Sequence, residues 1–96
     1  MVVLFYNLGI AYAKKGNFTA AIYEYKNALK IDPDDKRIYN NLGTSYANVG
    51  NLEAAINNFQ AAIRIDPNYT NARINLENIL NKVRGPTTDN QAVRIN

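Results

Sequence analysis

Ninety-six residues are enough for one domain with a thin core, and 47% hydrophobic and 10% aromatic content point to a folded chain. The absence of both cysteine and histidine excludes disulfides, thiolate metal sites, cysteine nucleophiles and the commonest metal ligand and general base. A net charge of +3 comes from eleven basic and eight acidic residues scattered along the chain, without the like-signed block of a nucleic-acid arm or a membrane-surface helix. These features predict no catalytic residues, no metal, no cofactor, and neither nucleic acid nor membrane as a partner.

The first element is the apolar stretch "MVVLFYNLGIAYA". It lacks a basic leader and falls short of the ~20 residues a membrane span needs, so the expected location is cytoplasmic. Apolar or small residues at Leu8, Gly9 and Tyr12, then at Ala21, Ile22, Tyr25, Ala28 and Leu29, recur at three- and four-residue steps, the helical period. This predicts helices over Val2 to Lys15 and Phe18 to Ile31, parted by Gly16-Asn17, a C-capping glycine followed by an N-capping amide. Asp32-Pro33-Asp34-Asp35 stops the second helix, because proline cannot continue it, and Asp34 or Asp35 can cap the next. Three further helices are predicted over Lys36 to Val49, Leu52 to Ile65 and Thr70 to Arg84. Gly85-Pro86 ends the last, and residues 85–96 read as a polar tail whose Ala92 to Ile95 run is either a loose end or a segment resting in a groove.

Displaced by 34 residues, the sequence matches itself at fourteen positions, from Asn7 with Asn41 to Ile31-Asp32-Pro33 with Ile65-Asp66-Pro67. Leu-Gly, Tyr, Gly, Ala, an aromatic, Ala and Pro at these spacings resemble the tetratricopeptide repeat. The resemblance implies an all-α, right-handed solenoid of five helices: one repeat over 2–35, a second over 36–69, and a capping helix over 70–84, where Glu77 replaces the repeat glycine. On this reading Gly9 and Gly43 let paired helices approach against Ala21 and Ala55, while Tyr25, Phe59, Tyr12 and Tyr46 fill the layers. The near-continuous apolar run Val2, Val3, Leu4 and Phe5 is expected to stay partly exposed, or to be covered by a second copy of the chain.

Aspartates at the turns and Lys14 and Lys15 at a helix end are accounted for by capping and the helix dipole. Asparagine is different. There are sixteen, and Asn is a poor helix former. Asn7, Asn41 and Asn75 recur every 34 residues on first helices, which in the family line the concave face. Around them the resemblance places Asn40, Thr44 and Asn48, Tyr6, Ile10 and Lys14, and Asn71, Ile74 and Asn78. A carboxamide can pair with both the N–H and C=O of an extended chain without reading its side chains. The row is similar to the asparagine ladder in the repeat domain of O-linked N-acetylglucosamine transferases. The alternative is that these amides merely solvate an exposed face. The carboxylate clamp of co-chaperones is matched only at Asn41, so a chaperone tail is not the expected ligand. The function expected is a non-catalytic module binding an extended peptide in its concave groove; the alternative is a structural or self-association segment of a longer array whose functional domain lies elsewhere.

Overall fold

The computed structural model describes residues 1–84, and expectations for the tail, including Ala92 to Ile95, lie outside the described residues. Five α-helices follow one another: α1 (Val2–Lys14), α2 (Phe18–Ile31), α3 (Lys36–Asn48), α4 (Leu52–Ile65) and α5 (Thr70–Arg84), with no strand among the described residues. Helices α1 and α2 pack as one hairpin and α3 and α4 as the next, α2 packs on α3, and α5 closes against α4 and, less extensively, α3. This nearest-neighbour stacking of helical hairpins is the construction of a solenoid.

The caps explain where each helix starts and stops. Asn17 Oδ1 accepts from the Ala20 N–H at 3.2 Å, and its repeat twin Asn51 Oδ1 accepts from the Ala54 N–H at 3.1 Å. Each follows a glycine with positive φ, 81° at Gly16 and 87° at Gly50, a conformation that a side chain makes costly. Of the two candidate aspartates it is Asp35 that caps α3, accepting from the Arg37 N–H at 2.9 Å. Helix α1 has Met1 at its N-cap position and no side-chain cap. Helices α1 and α3 end one residue sooner than their periodicity suggests, because Lys15 and Val49 already serve as C-caps.

The core consists of small residues set against rings. Ala21, Ala28, Ala55, Ala62 and Ala72 are fully buried, alongside Tyr25, Ile38, Leu42 and Phe59. The close approach involves a different partner from the one expected. A Cβ at Gly43 would lie 2.5 Å from Phe59 Cε1, and one at Gly9 would come closer still to Tyr25 Cε1. The glycines therefore make room for the aromatic rings of the second helices, one turn beyond the alanines. Not every tyrosine is core: Tyr12 and Tyr46 are half-buried, and Tyr23 is 65% exposed. In the N-terminal run, Val2 and Phe5 pack against the core cluster while Val3 and Leu4 are exposed. No helix among the described residues is long and apolar enough to cross a membrane.

Candidate functional site

Side-chain hydrogen bonds tie the three first helices to one another. Asn41 Nδ2 on α3 donates to the Tyr6 hydroxyl on α1 at 3.2 Å, and Asn75 Nδ2 on α5 donates to Asn40 Oδ1 on α3 at 3.0 Å. Tyr6 and Asn40 are 34 residues apart, as are Asn41 and Asn75, so this is one bond made twice, once at each step of the stack. It spends one N–H of each recurring carboxamide on holding neighbouring first helices together. The carbonyl oxygen and second N–H of Asn41 and Asn75 accept and donate nothing among the described residues, which leaves them available on half-buried side chains. Asn7 makes no side-chain hydrogen bond among the described residues and is exposed.

The other residues expected in the groove divide by what they touch. Asn40 is 8% exposed, and its carbonyl oxygen is the acceptor for Asn75. The Thr44 hydroxyl donates to the Asn40 backbone carbonyl at 3.2 Å, and Asn48 Nδ2 donates to the Thr44 carbonyl at 2.9 Å. Both bond back onto their own helix, the usual escape for a polar side chain inside one. Lys14, Asn71, Ile74 and Asn78 are exposed, and Ile10 packs at the edge of the core cluster. Among the expected groove residues, the side-chain bonds across helices seen within the described residues are those of Tyr6 with Asn41 and Asn40 with Asn75.

One cluster was not singled out from the sequence. Arg37 binds Asp35 through two side-chain bonds, Nε at 3.1 Å and a terminal nitrogen at 2.8 Å, and its guanidinium lies 5.1 Å from the Tyr6 ring centroid. The Arg37 hydrogen bond holds the Asp35 carboxyl below its ordinary range, and Asp35 in turn raises Arg37. Behind Tyr6 stands Tyr25, with ring centroids 6.1 Å apart, and burial, seconded by Tyr6, pushes the Tyr25 hydroxyl up to about 12. A cavity of about 220 Å³ opens here, lined by Val2, Val3, Tyr6, Asn7, Asp32, Asp35 and Arg37. In the second hairpin, Lys36 pairs with Asp66 and its ammonium lies 5.0 Å from the Tyr69 ring centroid. That hydrogen bond holds the Asp66 carboxyl low. The sequence signal for this cluster is Lys36-Arg37 directly after Asp34-Asp35, a pair of aspartates that helix capping alone accounts for.

No group of three or more acidic side chains among the described residues could hold a metal ion. What the face offers is hydrogen-bonding amides flanked by ring and charge. A TPR repeat model matches residues 9–50 and a tetratricopeptide repeat model matches residues 37–69. With its hairpins stacked as described, the chain belongs to the tetratricopeptide-repeat family. Repeats of this family are protein–protein interaction modules, typically without catalysis of their own. No curated protein matches the chain.

Proposed function

We propose that the chain is a non-catalytic module that holds an extended polypeptide along the face formed by α1, α3 and α5, with Asn7, Asn41 and Asn75 pairing with the bound backbone. The observation that carries this reading is the twin bond from Asn41 to Tyr6 and from Asn75 to Asn40. One N–H is fixed in each case, so both carboxamides are held in the same orientation at successive steps of the stack. Two pre-oriented amides suit an extended chain, because ordering them costs less on binding, and Asn7 extends the row from an exposed position. Asn71 and Asn78 on α5, Thr44 and Asn48 on α3, and Ile10 and Lys14 on α1 flank the row. The chain contains no histidine or cysteine, which supports a binding role rather than a catalytic one. This reading takes the module to act in the cytoplasm. The test is whether affinity for a captured peptide follows that peptide's backbone rather than its side chains.

A further inference from the structure

Among the positions where the two hairpins differ, one gives the second hairpin an ion pair that the first lacks. In the second, Lys36 opens α3 and its ammonium crosses to the Asp66 carboxylate at the end of α4, lying beside the Tyr69 ring. Thirty-four residues earlier, Asp32 stands in place of Asp66, whereas Val2 stands in place of Lys36. The first hairpin thus keeps the carboxylate and lacks its cation. Among the described residues the Asp32 carboxylate accepts no hydrogen bond and forms no ion pair, and the cavity of about 220 Å³ opens beside it. Arg37 does not take the missing role, because Asp35 already holds its guanidinium through two bonds. Among the described side chains that line this cavity, the one uncompensated charge is therefore negative, which favours a cation over an anion.

We propose that this cavity receives a lysine side chain of the bound polypeptide. The ammonium would sit on Asp32 as Lys36 sits on Asp66, with the Asn7 carbonyl as a second acceptor and the methylenes along Val2 and Val3. Partial burial of the long stem with the charge on a carboxylate is how lysine is ordinarily accommodated. The inference rests on the groove reading in that the lysine belongs to the chain held there, and it adds a specificity element at the α1 end of an otherwise backbone-reading face.

The experiment is an NMR titration of the isotopically labelled protein with Nα-acetyl-lysine methylamide, run against its Nε-acetylated analogue. Saturable shifts are expected at the amides of Val2, Val3, Asn7 and Asp32 with the free ammonium alone. They should vanish in Asp32→Asn, and also in Val2→Lys, where the chain supplies the missing lysine itself. Equal shifts from the Nε-acetylated probe, or shifts that survive Asp32→Asn in a chain with unchanged helical circular dichroism, would overturn the proposal. The probe has no extended backbone, so its failure is separable from failure of the groove reading.

Discussion

Individual residues show which polar groups are structural and which are available. Asn75 is in part structural: its amide satisfies the carbonyl oxygen of Asn40, which is 8% exposed. Leaving that oxygen unpaired costs about 1–3 kcal/mol, whereas an exposed side chain without partners costs within ~0.5 kcal/mol to remove. Asn75→Ala should therefore lower the urea midpoint measurably and Asn7→Ala should not; equal losses would show that the inter-helix bond contributes nothing. Tyr25 carries a pH signature. Its folded pKa of about 12 lies above the ordinary 10.0, so the unfolded chain loses this proton first as pH rises. The stability linked to Tyr25 is complete below pH 10 and drains away between about 10 and 12. In Tyr25→Phe, which copies Phe59 of the second hairpin, that part of the alkaline decline should be missing from melts recorded across this range.

At the scale of elements, helix-on-helix packing turns on the glycines facing rings. Gly43 is buried, and a Cβ there would meet three atoms of the Phe59 ring. The ring is enclosed between layers and cannot swing clear, so Gly43→Ala should cost on the order of 1–3 kcal/mol by overpacking. Thermal unfolding would detect this, and an unchanged melting temperature would contradict the packing described. The helices themselves were legible in the sequence, because stacked hairpins demand the same packing residues every 34 positions and glycine, proline and asparagine mark every turn. The partner of each glycine was not legible: a helical period fixes which residues share a face, but not which of several facing side chains comes closest. The same limit hid Arg37: its bonds to Asp35 are local to the start of α3, but its place over the Tyr6 ring arises only once α1 and α3 are brought side by side.

At the scale of the whole molecule, one 34-residue rule produces both the stack and the candidate site. The recurring asparagine was legible as a repeated position, and its division of labour was not. Two of its three copies bond across to the preceding first helix, to Tyr6 in one case and Asn40 in the other, and sequence gave no warning that side chains so unlike would accept the same bond. The departures from symmetry matter as much as the matches. Where Val2 replaces the counterpart of Lys36, a cavity opens at one end of the face beside Asp32, a carboxylate with no partner among the described residues. The central claim is that this face grips a polypeptide by its backbone. The most direct measurement takes one peptide captured from a random library and compares its Kd with those of single-site N-methylated versions and single-site alanine versions, against the parent protein and Asn7→Ala. Each amide bond to the backbone is worth about 1 kcal/mol, or roughly fivefold in Kd. The account predicts that N-methylation at spaced positions weakens binding by about that factor, that most alanine substitutions do not, and that Asn7→Ala abolishes the effect at one of those positions. Affinity that follows the side chains and ignores N-methylation would contradict it.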